Sequence, residues 1–415
     1  MAQRRRRQRG TIDQLPSGAF RVRVYAGVDP LTHRRHTLQE TAPNRAEADR
    51  VRVKLLSQVD ERRQPRSKAT LGLLLDRWLE VVELDLTTRA GYVGKIEKHI
   101  RPTLGHLPLA KIDAELLEHF YARLRRCREQ CSGRPARGHT CQPLAPSTVR
   151  QIHWILSGAL GRAVRWRWIA VNPAAQAEPP GLTPPNPEPP SAKDAARILT
   201  AAWEKDPDWG SFLWLAMTTG ARRGELCALQ WQHVDLAVGV LTIATAVAQV
   251  GGTRAIKGTK THQKRRIALD AETVAVLQEL RGRAVERAGL VRAELAADAY
   301  VFSPDPDGRR ALVPDTATQR YGRLVRRLGL TGHLHQLRHY SATELINAGV
   351  DVRTVAGRLG HGGGGATTLR VYAAWVAESD QRAATALGSR LQRPSPSDAQ
   401  STKKRVAKPA KPGES

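Results

Sequence analysis

Thr218-Thr219-Gly220-Ala221-Arg222-Arg223-Gly224-Glu225-Leu226 follows the apolar run 212–217 and precedes a segment carrying Leu229 and Trp231. The apolar flanks predict two helices, and the glycines between them permit a sharp junction. Arg222 at that junction can turn its guanidinium into a cleft. The motif is short, and its weight comes from three pieces further along the chain. Lys257-Gly258-Thr259-Lys260-Thr261 leads to Arg265-Arg266-Ile267-Ala268-Leu269 and follows a β-branched run over 240–246. A lysine is therefore expected on a hairpin between two strands. In His335-Gln336-Leu337-Arg338-His339 the first histidine and the arginine lie three apart, on one helix face, where both can address one phosphate. Leu359-Gly360-His361 runs into four glycines, 362–365, and then Ala366-Thr367-Thr368-Leu369-Arg370-Val371-Tyr372.

With 66 Lys and Arg against 39 Asp and Glu, the 415 residues carry a formal net charge of +27. So basic a chain suits a polyanion, and nucleic acid is the commonest one; a merely solvated basic surface is the alternative. The length predicts two or three domains. Four cysteines do not make a disulfide scaffold, which fits a reducing cytosol. MAQRRRRQRGTID at the N-terminus has charge but no apolar core of a signal peptide, and no stretch is apolar for the roughly 18 residues of a membrane span.

A basic arm over 1–9, with Arg4, Arg5, Arg6, Arg7 and Arg9, leads into residues 20–25, where apolar and basic side chains alternate as in a half-buried strand. Gly27-Val28-Asp29-Pro30 signals a turn, 34–39 a second basic strand and 44–63 a helix. Together they predict a small β-β(-β)-α module over 10–62 whose basic sheet face meets DNA, a structural surface hairpin being the alternative. Residues 67–177 read as all helical. Thr70 is placed to cap a helix carrying Leu74 and Trp78, and Thr87 or Thr88 one carrying Tyr92, Ile96 and Ile100. Pro102 and Gly105 are expected to break the chain, with further helices over 114–126 and 146–168. The stretch EPPGLTPPNPEPP, 178–190, sustains neither helix nor central strand and marks a domain boundary. Ser191 then caps a domain running to 391, and the Ser/Pro/Lys-rich tail over 392–415 is expected to be disordered.

The four pieces, in this order, resemble the tyrosine recombinase (lambda-type phage integrase) family. The resemblance covers the last domain whole and, more loosely, the two domains before it. It implies a multidomain, mainly α fold: the N-terminal β-β-β-α module, an all-α SAM-like core-binding domain (67–177) and an α+β catalytic domain (191–391) with a small β-sheet. It implies a site-specific recombinase that cuts and rejoins duplex DNA through a 3′-phosphotyrosyl bond, without metal or ATP. Arg222 and Arg338 would clamp the scissile phosphate, a role suited to a planar fork that never deprotonates. Lys260, with Lys257 as its rival, would protonate the leaving oxygen, His335 would assist proton transfer with the tyrosine, and His361 would donate a hydrogen bond to a phosphate oxygen. Glu225 stands where the family keeps a structural acid. Tyr372 would be the nucleophile. A phenol of pKa about 10 is weak at neutral pH and needs those cations. Tyr340 competes by its nearness to Arg338, but it falls inside a helix where the family has a small or apolar residue, whereas a segment after glycines can deliver a nucleophile at the right step. One departure is that His361 and Tyr372 are eleven residues apart, longer than the family's usual step, and the glycines could absorb the difference. Expected partners are attachment-site duplex DNA, a homo-tetramer on it, and an excisionase or host DNA-bending protein. The expected setting is the bacterial cytoplasm, at the nucleoid.

Cys127-x3-Cys131 and His139-x-Cys141 fall in a polar insertion, 127–143, between two of the expected helices. Three thiols and an imidazole suit a structural zinc, which would fold an insertion with almost no apolar residues; an exposed loop with incidental thiols is the alternative. Cys227, beside the first motif, reads as a buried helix residue. Two further functional readings stay open, a resolvase or type IB topoisomerase-like enzyme with the same chemistry, and a non-catalytic DNA-binding regulator. The basic N-terminal module favours an integrase, and the intact set of Arg222, Lys260, His335, Arg338, His361 and Tyr372 speaks against a regulator. No carboxylate cluster accompanies the motifs, so a metal-dependent nuclease fits poorly.

Overall fold

The computed structural model describes residues 9–28, 35–60, 69–131, 139–182, 187–258 and 264–361, with Gly365, Ala366 and Thr368. The chain divides into two compact units, Met1–Thr183 and Pro184–Ser415. Among the described residues no helix is long and apolar enough to cross a membrane.

The first unit opens on an antiparallel sheet of β1 (Thr11–Gln14), β2 (Phe20–Val28) and β3 (Arg35–Ala42), in that order, followed by α1 (Arg45–Asp60). The period-two pattern of β2 sets its faces. Val22 and Val24 are buried and cluster with Ala48, Val51 and Leu55 of α1, while Arg23 and Tyr25 are exposed. Strand β1 has too few apolar residues to show in the sequence; it forms by pairing, with Thr11 opposite Arg23. Asn44 caps α1, its side chain accepting from the Glu47 N–H at 2.8 Å. Most of the basic arm and the Asp29-Pro30 turn lie outside the described residues.

The helices that follow are α2 (Leu71–Val81), α3 (Leu86–Lys95), α4 (Arg101–Leu104), α5 (Ala114–Arg126) and α6 (Pro146–Arg165). Leu74, Trp78, Ile96, Ile100, Phe120, Ile152 and Leu156 form their shared core. Thr70 caps α2 as expected, accepting from the Leu73 N–H at 3.3 Å. Neither Thr87 nor Thr88 caps α3. The helix starts earlier, because Asp85 already offers its carbonyl to the Arg89 N–H at 2.8 Å. Pro102 does not break the chain either. A wide turn over Ile96–Ile100 sends the Arg101 N–H five residues back to the Ile96 carbonyl, and Pro102 sits in the first turn of α4, where an N–H is not needed.

The second unit holds α7 (Ala192–Lys205), α8 (Pro207–Thr219), α9 (Arg223–Cys227), β4 (Val234–Asp235), β5 (Val240–Ile243), β6 (Thr245–Val250), β7 (Thr253–Gly258), β8 (Arg265–Ala268), α10 (Ala271–Leu290), α11 (Pro314–Arg327), α12 (Gln336–Asn347) and α13 (Val352–Leu359). Ser191 caps α7, accepting from the Asp194 N–H at 3.1 Å. Helix α8 buries residues on every side, including Phe212, Leu213, Leu215, Ala216 and Met217, and is the central element of the core. The β-branched run 240–246 is not one strand. It splits at Ala244, β5 pairing in a β4-β5-β8 sheet and β6 in a hairpin with β7, since its two halves turn buried residues toward different neighbours.

Candidate active site

The first motif forms a joint between α8 and α9 that only glycine allows. Helix α8 ends at Gly220 with φ +60°, and a Cβ there would lie 2.4 Å from Leu359 Cδ2 and 3.1 Å from Ser341 Oγ. The missing side chain is what lets α12 and α13 close on the end of α8. Arg338, in the first turn of α12, is buried and donates from Nη1 to the Gly220 carbonyl at 2.6 Å. Arg222 stands at the N-cap position of α9 and donates from Nη2 to the Gly360 carbonyl at 3.0 Å, where α13 ends in a left-handed turn with φ +68°. Each guanidinium is thus fixed by a carbonyl at a helix end, one of α8 and one of α13.

Glu225 is the one buried carboxylate among the described residues, 1% exposed. It accepts from the Arg222 N–H at 2.8 Å and from Arg222 Nη1 at 2.9 Å. Arg265, on β8, donates to it twice, from Nη1 at 3.1 Å and Nη2 at 2.6 Å, and gives its Nε–H to the Arg358 carbonyl at 2.9 Å. Arg358 in turn donates to the Ala268 carbonyl at 3.0 Å and the Thr218 carbonyl at 2.9 Å. Burial pushes the Glu225 pKa up, but hydrogen bonds and charge from Arg265, then Arg222, outweigh it and hold the carboxyl below its ordinary value. The acid therefore stays ionised and orients both arginines.

Two imidazoles complete the cluster. His335 precedes α12 and meets the His339 ring edge-on at 4.9 Å. His361 follows Gly360; its Nδ1 lies 2.8 Å from the hydroxyl of the buried Thr368. Desolvation lowers the His361 pKa to about 4, and the charges of Arg338, Arg222 and Arg265 add to this. His335 shifts the same way, first by desolvation, then by the charges of His339 and Arg338. Both rings are neutral at pH 7. Guanidiniums held in place beside neutral imidazoles are equipped to bind a phosphate diester and pass a proton, and the lack of surplus carboxylate suits an anionic substrate.

Residues 191–378 match the phage integrase family, and residues 70–125 match the phage integrase N-terminal SAM-like domain. The chain belongs to the phage integrase family of tyrosine recombinases. The ICEBs1 integrase of Bacillus subtilis is 24% identical over 371 residues, which cover 87% of this chain and 95% of that one. The Tn1549 transposon integrase, solved in complex with transposon right end DNA, superposes with a TM-score of 0.61 at 18% identity, covering 77% of this chain and 99% of that one. A lambda integrase tetramer bound to a Holliday junction gives 0.53 at 19% identity, covering 88% and 96%. At these identities the structures speak for a shared fold.

In this integrase-family chain the structure brings four of the six expected catalytic residues together, Arg222, His335, Arg338 and His361. Lys260 and Tyr372, with glycines 362–364, lie outside the described residues. Lys257 is on β7 opposite Ala246, one residue from the end of the β6–β7 hairpin. The rival Tyr340 is half-buried against the core of the second unit, and burial, then Glu344, raises its pKa. Sequence reasoning missed the parts played by Arg265, Arg358, His339 and Thr368. The signal for Arg265 was present: two residues before the buried Ile267, it shares that inward face of β8. Arg358 and Thr368 act through contacts between distant segments, which no local pattern announces.

The cysteine cluster is assembled in the first unit. The ligand atoms of Cys127, Cys131, His139 and Cys141 all lie within 4.8 Å of one another. Cys127 Sγ is 3.2 Å from His139 Nε2, and Cys131 Sγ is 3.3 Å from Cys141 Sγ. A tetrahedral zinc with Zn–S of about 2.3 Å sets sulfur atoms roughly 3.8 Å apart, so small shifts would admit the ion. His139 Nδ1 lies 3.2 Å from Glu129 Oε2. A carboxylate on one ring nitrogen, with the other facing thiols, is how metal-binding histidines are commonly oriented.

Proposed function

We propose that this site-specific recombinase breaks and rejoins duplex DNA through Tyr372, integrating a mobile element. The observation that carries the reading is the pairing of Arg222 and Arg338, each anchored to a helix-end carbonyl, with ionised Glu225 behind Arg222. In the proposed step the Tyr372 oxygen attacks the scissile phosphorus, forming a phosphotyrosyl bond and breaking the bond to the 5′ oxygen. The two guanidiniums stabilise the charge of the pentacoordinate transition state, and His361 donates a hydrogen bond to a phosphate oxygen. His335, neutral at pH 7, takes up the phenolic proton, and Lys260 protonates the leaving oxygen. The covalent bond conserves the energy of the diester, so neither ATP nor a catalytic metal enters the reaction. Recombination of two sites needs four strand cuts, and we propose a homo-tetramer on DNA, an arrangement recorded for lambda integrase on a Holliday junction. An excisionase or host DNA-bending protein would set direction, in the cytoplasm at the nucleoid. The domain boundaries proposed are those of the sequence, 10–62, 67–177 and 191–391. The Cys127, Cys131, His139 and Cys141 set is proposed to hold a structural zinc, with no part in the chemistry.

A nicked suicide duplex carrying the attachment site tests the reaction. The expected result is a covalent protein–DNA adduct that survives denaturation and forms without Mg²⁺. Tyr372→Phe abolishes it and Tyr340→Phe does not. An adduct undiminished in Tyr372→Phe overturns the assignment.

A further inference from the structure

The cysteine centre sits where the chain must leave α5 and reach α6, and the structure ties it into the fold at both ends. Cys127 directly follows α5 and is buried. The Arg128 N–H donates to the Gln142 carbonyl at 2.7 Å, and the Leu144 N–H to the Leu124 carbonyl at 2.9 Å. Arg125 Nη1 donates to the Leu144 carbonyl at 2.8 Å. Between the first two cysteines Gln130 adopts φ +54°, a left-handed conformation disfavoured for a residue with a side chain. That turn brings Cys131 back toward Cys127. It is held by Gln130 Nε2 donating to the His99 carbonyl at 3.0 Å and by the Thr103 hydroxyl donating to Gln130 Oε1 at 2.7 Å. The wide helical turn over Ile96–Ile100 is thus wired to the centre.

The surface around this centre is strongly positive. Arg123, Arg125, Arg126 and Arg128 are all exposed, with Glu129 the one acid among them. Three thiolates, an imidazole and a zinc ion would sum to a single negative charge, so the stretch from Arg123 to Glu129, four arginines against one acid, stays positive after metal binding. The insertion has almost no apolar side chains with which to fold itself.

We propose that the zinc centre is a DNA-contact element, the metal fixing a basic loop whose arginines, Arg126 and Arg128 foremost, bind the phosphate backbone of the duplex. The inference rests on the zinc reading above and adds the partner. Phosphate contacts are independent of sequence and release counterions, so they are read in the salt dependence of binding. The metal would act by order alone, fixing Arg128 and the chain beyond it at a set spacing from Arg126 at the end of α5, so that less ordering opposes binding.

The test uses the full chain on a mixed-sequence duplex, with metal content measured on the same preparations. One zinc per chain is expected in the unaltered protein and in Cys227→Ser, and a loss of it in Cys131→Ser and Cys141→Ser. The double substitution Arg126→Gln with Arg128→Gln keeps the zinc but flattens the slope of log affinity against log salt by about 1 to 2, each phosphate contact contributing about 0.9. Chelation of zinc from the unaltered protein shallows the slope in the same direction. Zinc retained with a slope unchanged in the double variant overturns the DNA contact and leaves a purely structural metal. No zinc in the unaltered protein overturns the metal reading and this inference together. Neither result touches the Tyr372 adduct, which tests the recombination reading separately.

Discussion

Replacing Glu225 by glutamine keeps the shape of the side chain and removes the charge that faces Arg222 and Arg265. The carboxylate is 1% exposed and accepts four hydrogen bonds, two of them from Arg265, whose side chain is 9% exposed. Arg222 is 25% exposed, so solvent takes over part of its share and Arg265 bears most of the loss. Breaking a buried ion pair by removing one partner costs about 3–5 kcal/mol, because the other charge stays uncompensated. Glutamine can still accept with its oxygen but points its NH₂ at donors, which places Glu225→Gln near about 3 kcal/mol and Glu225→Ala near about 5 kcal/mol. For a domain of this size the glutamine variant should melt about 6–12 °C lower by calorimetry. Adding Arg265→Met removes the stranded cation and should recover about half of the loss. The pH dependence has a definite sign. The folded pKa of Glu225 is depressed, so its contribution is fully present above the unfolded carboxylate value of about 4.3 and is lost as pH falls through the folded value. The gap between native and glutamine forms should therefore be wide at pH 7 and close in strong acid. A loss under 1 kcal/mol at pH 7, or a double variant no more stable than the single one, refutes the role given to Glu225 here.

Three further outcomes can be checked on the same protein. Gly220→Ala forces a left-handed residue with a Cβ against Leu359 and displaces the carbonyl that anchors Arg338; about 2 kcal/mol or more of stability should go, with cleavage falling further than folding does, and a neutral effect in urea titration counts against the joint. Since the folded pKa of His361 is lowered to about 4, the second unit should lose stability as pH drops from about 6.5 toward that value, and His361→Asn should flatten this limb of the melting curve. Lys260→Met should slow cleavage of an ordinary diester and be rescued when the leaving oxygen is replaced by sulfur, a better leaving group that needs no proton; rescue of Lys257→Met instead would transfer the role to that lysine.

The sequence determined by itself what is local or compositional. The alternation of Val22 and Val24 with Arg23 and Tyr25 set the faces of β2, and Thr70 and Ser191 marked helix starts, since caps and periods are settled by neighbours in the chain. The two compact units divide between Thr183 and Pro184. The four motifs named the chemistry, but their spacing in sequence said nothing of their distance in space. Only the tertiary structure decided that Arg338 meets the Gly220 carbonyl, 118 residues away, and that Arg222 meets the Gly360 carbonyl, 138 residues away. It also decided that Arg265, ordinary in its strand, is the second partner of the buried acid. Such contacts join segments that share no period and no turn, and they depend on which side chains the packing of α8, α12 and α13 shuts away from water. Burial is a property of the assembled core, and the neutrality of His361 follows from it; the depressed pKa of Glu225 follows from the arginines that the same packing sets against it.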